Sequence, residues 1–307
     1  KRNCVIASVD GRGVISSGTP AVAHTCSGYH YQLCPAGAGK FMLLRRNGSG
    51  TAEYIIGTIT GTSIAFGTAA TVGPSDTGIP SCCWDSVNQK VIVVDAVNDV
   101  HVGTVSGSSV SWGSPVDPPT ATYYDYITRL YFDPNSGKVI YYGCYFAGGY
   151  GGYEEDLRNE LHVGTVSGTS ISFGATTTFE PFLYFEDLAF ADDPVSGKPV
   201  IAYRWVDSIY DSGGKASSLT VSGTSVTVDT PDVLAANVSG GIGLATDTAD
   251  NAVVATFGGS GTELDFAAGT VDGAFAFTEV DVDQTLTIDS GSPRLLAYDP
   301  DTDYALT

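Results

Sequence analysis

Tyrosine, tryptophan and carboxylate side chains concentrate in four irregular segments of the chain. Aromatic rings can stack on the apolar faces of sugars, and carboxylates can accept hydrogen bonds from sugar hydroxyls. The same residue types concentrate binding energy at protein interfaces, and they can also simply pack long loops together. The candidate ligand-binding residues are Tyr123, Tyr124, Asp125, Tyr126, Tyr150, Tyr153, Glu186, Asp187, Trp205, Asp207 and Tyr210.

Three of these acids raise the alternative of a glycoside hydrolase, which uses a pair of carboxylates. Asp125, Glu186 and Asp187 each precede an apolar segment, where a strand would enter the centre of the fold. The chain contains 34 acidic residues, however, so chance alone explains three acids in such places. The sequence has no sialidase-type Asp-box, no G-x-S-x-G element and no phosphate-binding loop. It favours a non-enzymatic protein and gives no catalytic residue.

The four histidines do not form a metal-binding motif. His101 and His162 occupy the same place in two similar segments, which favours an architectural role. His24 and His30 flank Cys26, but this spacing is not that of a zinc site. The acidic segment that begins at Asp281 lacks the spacing of an EF-hand, so a calcium ion there is an unsupported alternative. We therefore expect no metal and no cofactor.

The chain has six cysteines, and none of them has the paired C-x-x-C spacing of a metal site. We expect mostly buried thiols, with Cys26 and Cys34 as the disulfide pair if the compartment is oxidising. Cys82 and Cys83 are adjacent and would point to opposite faces of a strand, so at least one of them belongs to the core.

A repeated hairpin must position the irregular segments. It appears as HVGTVSGSSVSWG from His101 and HVGTVSGTSISFG from His162, with related copies elsewhere at intervals of about 50 residues. Each copy has a glycine in its turn, as a two-residue hairpin turn with positive φ requires. The turn glycines are Gly11, Gly61, Gly107, Gly168, Gly223 and Gly273.

A second hairpin precedes each of these copies, as in LYFDPNSGKVIYY from Leu130 and FADDPVSGKPVIAY from Phe190. Two hairpins in a unit of about 50 residues are typical of a four-stranded β-propeller blade. Six hairpins of each kind predict an all-β, six-bladed propeller in a single domain, with a seven-bladed ring or a twin sandwich as alternatives. The predicted blades are 23–72, 73–116, 117–179, 180–234, 235–282, and 283–307 with 1–22.

The last of these blades would be closed by the two ends of the chain. The amino-terminal segment supplies outer strands, and the carboxy-terminal segment RLLAYDPDTDYALT supplies inner ones, so their pairing would leave no open sheet edge. The connections between hairpins would share one face of the ring with the four irregular segments, and loops on a rigid scaffold are where binding residues gather.

Charge and hydropathy exclude some partners. The formal net charge is −20, which disfavours nucleic acid and anionic lipid. No stretch of about 18 apolar residues occurs, so we expect no membrane insertion.

The repeated VGTVSGTSISFG units, with FDPNSGKV-type hairpins before them, resemble segments of tail-fibre and other virion-surface proteins of bacteriophages, particularly marine ones. The resemblance spans nearly the whole chain but carries no catalytic residue. It implies an adhesive or capping role on a particle, in several copies, at a virion surface or otherwise outside the cell.

The leading hypothesis is a non-enzymatic virion-surface propeller, such as a tail-fibre or receptor-binding component. Its loops would contact a host glycan or a neighbouring virion protein. The alternatives are a secreted carbohydrate-active hydrolase or lectin with its site on the loop-rich face, and a purely structural subunit of an appendage.

Overall fold

The structure is a computed structural model in which β-strands are the only regular elements of the described residues, so the all-β prediction is confirmed. No helix within these residues is long and apolar enough to cross a membrane. The described residues are 2–4, 7–9, 15–17, 21–24, 28–76, 78–119, 125–146, 157–180, 184–206, 212–236, 238, 242–247, 252–258, 264–271, 275–278, 297–299 and 304–306.

The strands of the amino-terminal half form two-stranded pairs and two blades. The pairs are β1 (Arg2–Cys4) with β4 (Ala21–His24), and β2 (Ala7–Val9) with β3 (Ile15–Ser17). Blade one consists of β5 (Gly28–Pro35), β6 (Lys40–Asn47), β7 (Thr51–Thr60), β8 (Ser63–Phe66) and β9 (Ala70–Ser75). Blade two consists of β10 (Ser81–Asp85), β11 (Lys90–Val94), β12 (Val100–Ser106) and β13 (Ser109–Trp112).

The remaining strands form three further blades and a terminal pair. Blade three consists of β14 (Asp125–Asp133), β15 (Lys138–Phe146), β16 (Leu157–Ser167), β17 (Ser170–Phe173) and β18 (Thr177–Thr178). Blade four consists of β19 (Tyr184–Asp192), β20 (Pro199–Val206), β21 (Ser212–Ser222), β22 (Ser225–Val228) and β23 (Asp232–Ala236). Blade five consists of β24 (Ile242–Asp247), β25 (Ala252–Gly258), β26 (Leu264–Val271) and β27 (Phe275–Thr278), and the pair is β28 (Ala297–Asp299) with β29 (Tyr304–Leu306).

The chain divides into two compact units, which we describe separately. One unit comprises Lys1–Tyr145 and Glu160–Thr176, and the other comprises Phe146–Asn159 and Thr177–Thr307. In the first unit the inner strands β5, β10 and β14 are neighbours, and in the second β24 neighbours both β19 and β28. The arrangement of four-stranded antiparallel blades is therefore propeller-like, as predicted.

The predicted number of blades is only partly shown. The described residues contain five sheets of four or five strands, whereas the strands near the two ends of the chain form separate two-stranded sheets, β1–β4, β2–β3 and β28–β29, and do not show the predicted sixth blade. Its closure by the two ends of the chain stays a prediction.

The second strand of a blade is apolar on both faces because two neighbours cover it. In blade two, Val91 and Val93 pack in a core with blade one, whereas Ile92 and Val94 pack in another core with blade three. All four side chains are fully buried. This double burial explains why runs such as KVIVV lack the alternating pattern of a half-exposed strand.

Buried aspartates form the turns of the inner hairpins. The carboxylate of Asp85 accepts hydrogen bonds from the backbone amides of Val87 and Asn88 at 2.9 and 2.8 Å. Asp133 and Asp193 occupy the same place in blades three and four, where each accepts from amides of its own turn. These carboxylates replace water for backbone groups that the sheet leaves unpaired.

The outer hairpins have the predicted glycine turns. Gly61, Gly107, Gly168 and Gly223 all have φ between 57° and 62°. Each is the first residue of a two-residue loop, as the pairing of Ser222 with Ser225 shows for blade four. Positive φ at this position is typical of a type II′ turn. The predicted glycines at 11 and 273 lie outside the described residues.

The cysteine prediction is confirmed in part. Cys34, Cys82, Cys83 and Cys144 are buried, and none of these four is in a disulfide. Cys82 and Cys83 lie in different cores on opposite faces of β10, which confirms that at least one of them belongs to the core and shows that both do. The predicted Cys26–Cys34 disulfide is absent, since Cys34 is a free thiol buried against Cys82. Cys26 itself lies outside the described residues.

Replacing Gly223 with alanine should destabilise the protein through its backbone alone. A Cβ at this glycine would have nothing within 4 Å, but φ of +61° is unfavourable for an L residue. We expect a loss of about 1–3 kcal/mol in the free energy of unfolding, measured by urea denaturation. Thr224→Ala, in the same turn, is the control and should change stability by less than about 0.5 kcal/mol. Equal midpoints for the two variants would contradict the turn assignment.

Candidate functional site

The structure places only part of the predicted site. Tyr123, Tyr124, Tyr150, Tyr153, Asp207 and Tyr210 lie outside the described residues. Asp125 and Tyr126 begin strand β14, and Glu186 is the third residue of β19, but only their backbone is described. Asp187 and Trp205 are described with their side chains.

The two described candidates lie at the same end of blade four but on different faces. Asp187 is opposite Arg204 in the ladder, whereas Trp205 is opposite Phe185. The Asp187 carboxylate accepts hydrogen bonds from the amides of Leu188 and Ile242, and the second of these begins the inner strand of blade five. Asp187 therefore fixes two inner strands to each other, and its carboxylate does not join Trp205 in one site.

Trp205 instead belongs to a polar group that we call the blade-four cluster: Glu180, Tyr203, Trp205 and Lys215. Tyr203 and Trp205 are alternate residues of β20, so they share one face of the sheet. Lys215 is the direct cross-strand partner of Tyr203 on β21. Glu180 comes from the segment that follows β18 in blade three.

A single carboxylate connects the cluster. Glu180 accepts a hydrogen bond from the Tyr203 hydroxyl at 2.8 Å on one oxygen, and the Lys215 ammonium lies 2.5 Å from the other. The side chains of Lys215 and Glu180 are each 18% exposed, so the ion pair is largely shielded from water. Charge-assisted bonds of this kind hold side chains in fixed positions.

Trp205 contributes an aromatic face and an unused donor. Lys215 Nζ lies 5.3 Å from the centroid of the indole ring, within the range of a cation–π contact. The indole Nε1 is buried, and no acceptor among the described residues is bonded to it. The indole Nε1 of Trp112 in blade two is likewise buried with no acceptor among the described residues, whereas most buried indole N–H groups have one.

The backbone at Glu180 is strained. Its φ is +39°, in the left-handed region that costs an L residue roughly 1–2 kcal/mol. The Asn159 side-chain amide donates to the Glu180 carbonyl at 2.9 Å, and the Phe179 amide donates to the Asn159 carbonyl at 3.1 Å. These bonds stabilise a conformation that directs the carboxylate to Tyr203 and Lys215. Strain that the surroundings maintain is a feature of binding sites.

Other blades carry different polar groups at the position of Tyr203, five residues after the lysine of the inner turn. Blade one has Arg45, which is 1% exposed and paired with Glu53. Blade two has Asp95, which is fully buried and lies 2.8 Å from Nε2 of His101. Blade three has Gly143 at this place. In blades one and two the polar groups are paired with each other, and blade two, like blade four, has an indole ring beside its pair, since Trp112 packs against His101.

The described residues contain no group of three or more histidine, cysteine or acidic side chains that could hold a metal ion. His101 and His162 are both buried inside their blades, as an architectural role requires. His162 Nε2 lies 3.3 Å from a carboxylate oxygen of Glu160.

Sequence reasoning found Trp205 but missed Glu180, Tyr203 and Lys215. Glu180 and Lys215 are 35 residues apart and come from different blades. One signal was present in the sequence. The start of the third strand has Glu53 in blade one and Glu160 in blade three but a lysine in blade four, and this reversal of charge indicates a different polar contact there.

Comparison with solved structures supports the fold. A putative 6-phosphogluconolactonase from Bacteroides uniformis has a TM-score of 0.61 at 12% identity, over 98% of this chain and 83% of that one. AofleA from Arthrobotrys oligospora has a TM-score of 0.51 at 11% identity, over 88% and 77%. The SapL1 lectin, in complex with alpha methyl fucoside, has a TM-score of 0.47 at 9% identity, over 90% and 92%.

The two likenesses with TM-scores above 0.5 show a shared propeller-like fold and nothing further, because their identities are so low. None of the three structures is named as a virion protein, so they give no support to the tail-fibre resemblance. No family model matches the chain, and no curated protein sequence matches it.

Alkaline pH should reveal the environment of Tyr203. Burial, the charge of Glu180 and the hydrogen bond to it raise the pKa of Tyr203 well above its ordinary value. The unfolded chain therefore loses this proton from about pH 10 upwards while the folded chain keeps it, so stability falls as pH rises. Relative to Tyr203→Phe, the wild type should lose a further ~1.4 kcal/mol per pH unit in this range. If the free energy of unfolding from urea denaturation fell equally with pH above 10 in the wild type and in Tyr203→Phe, the raised pKa of Tyr203 would be contradicted.

Proposed function

We propose that the protein is a carbohydrate-binding protein and that the blade-four cluster forms part of its binding site. The observation that carries this proposal is the indole of Trp205, whose buried N–H has no acceptor among the described residues and whose ring lies beside an ordered ion pair. The cluster lies where β20 ends and β21 begins, at the blade end that bears the irregular segments around 181–186 and 207–211.

The chemistry of the cluster suits a sugar. An indole offers an apolar face for C–H groups and one donor at its edge, and sugars need both contacts together. Lys215 and Glu180 offer a donor and an acceptor for hydroxyl groups at positions that their ion pair already fixes. Little side-chain entropy would therefore be lost on binding. The predicted candidates Tyr150, Tyr153, Asp207 and Tyr210 belong to the segments that would extend the site.

A binding role is better supported than hydrolysis. A glycosidase needs two carboxylates that face the substrate. The Asp187 carboxylate accepts two backbone hydrogen bonds, and the Glu180 carboxylate is held by a tyrosine and a lysine. Both groups are engaged in holding structure, which favours a lectin over a hydrolase as the carbohydrate-handling alternative.

Display outside the cell, on a virion or as an exported protein, remains part of the proposal. It rests on the repeat resemblance and on the strongly acidic composition, with a net charge of −20. The absence of nucleic-acid partners and the presence of several copies per particle are likewise expectations.

Binding to immobilised oligosaccharides, followed by calorimetric titration of the best glycan, would test the proposal. We expect Trp205→Ala to weaken binding by roughly tenfold or more, which corresponds to about 1.4 kcal/mol. Trp205→Phe keeps an aromatic face but removes the N–H, so it should weaken binding by a smaller factor.

Trp84→Phe is the matched control. Trp84 lies on β10 next to the inner turn of blade two, so it is at the other end of a blade from the position that corresponds to Trp205. The affinity of the Trp84→Phe variant for the glycan should equal that of the wild type. The proposal is wrong if no glycan binds, or if Trp205→Ala and Trp84→Phe bind with the same affinity.

A further inference from the structure

Two thiols meet between the inner strands of blades one and two. Cys34 on β5 and Cys82 on β10 belong to the same core cluster and are 4% and 3% exposed. Strands β5 and β10 are neighbours, so the two thiols lie on facing strands. The Gln32 side-chain oxygen accepts from the Cys82 backbone amide at 2.7 Å, so the two strands are held together beside the pair.

The alternation of side chains along the strands makes this pair specific. Gln32 and Cys34 are two residues apart on β5 and share the face that meets β10. Cys83 points away from that face into the core shared with blade three, among Leu130 and Val139. Cys144 lies on β15 in blade three. Cys34 and Cys82 lie together in the core that blades one and two share.

We propose that Cys34 and Cys82 form a reversible disulfide that links the inner strands of blades one and two when the protein folds in the presence of a disulfide oxidant. With oxidised glutathione, one cysteine thiolate attacks a glutathione sulfur, and the first glutathione thiol leaves. The second cysteine thiolate then attacks the mixed disulfide and releases the second glutathione thiol. The protein loses two electrons and two protons, and oxidised glutathione takes up both.

The bond should form before the two blades close. The thiolate is the attacking species, and the hydrogen bond to Cys34 together with burial raises the pKa of the Cys82 thiol. Both sulfurs are also inaccessible to a peptide-sized oxidant once β5 and β10 have packed. During folding the thiols are still exposed and ionise normally, so oxidation competes with closure.

Refolding from denaturant in a glutathione redox buffer, followed by peptide mapping without reduction, tests the proposal on the wild-type protein. We expect a Cys34–Cys82 cross-linked peptide pair that disappears on reduction. The folded, reduced protein in the same buffer should acquire this link much more slowly. The oxidised form should also melt several degrees above the reduced form, because the link restricts the unfolded chain.

Cys82→Ser and Cys83→Ser are a matched pair of variants at adjacent buried positions. Cys83→Ser should still form the link, and Cys82→Ser should melt at the same temperature with and without reductant. Recovery of Cys34 as a free thiol, or in a link with Cys26, after oxidative refolding would overturn the proposal. Equal rates of oxidation for folded and refolding protein would refute the step that places it before closure. The wild-type mapping remains decisive if a variant does not fold.

Discussion

Each described blade with a neighbour on both sides has to bury both of its faces, and most of the fold follows from this constraint. In blade two, odd-numbered residues of β11 such as Val93 contribute to one core and even-numbered ones such as Ile92 to another. Neither core exists without the adjacent blade, so stability depends on contacts between repeats as much as on those within them. Two-sided burial also favours apolar side chains in the middle of the second strand, as in KVIVV of blade two.

Polar groups therefore collect where the second strand leaves the double-sided core. They remain shielded there, so each must be neutralised by a partner. Blade one uses an arginine and a glutamate, and blade two uses an aspartate with a histidine. In blade two the fit is tight, because a Cβ on Gly73 would lie 1.7 Å from the carboxylate of Asp95. The chemistry at one structural position varies between blades, whereas the need for pairing does not.

The sequence predicted the parts of this fold that depend on local rules. Two-residue turns require positive φ, so Gly107 and Gly168 marked the outer hairpins, and turn aspartates such as Asp133 marked the inner ones. Contacts between blades were not predictable in this way. Cys34 was predicted to pair with Cys26 in an oxidising compartment, but it shares a core with Cys82, which is one repeat further along.

The difference between local rules and contacts between blades also explains which residues of the candidate site were predicted from the sequence. Trp205 was found because an aromatic residue in an irregular segment is visible in sequence alone. Glu180 acquires its importance only when it is brought from one blade to Tyr203 and Lys215 of the next, in a backbone conformation that glutamate does not prefer. In the repeats, the backbone groups of the sheets are hydrogen-bonded in a common pattern. A segment that deviates from this pattern therefore has to be stabilised by contacts of its own. Blade four has such contacts in the ion pair of Glu180 with Lys215 and in the hydrogen bond from Tyr203, which bring Trp205 and a charged pair together at one blade end.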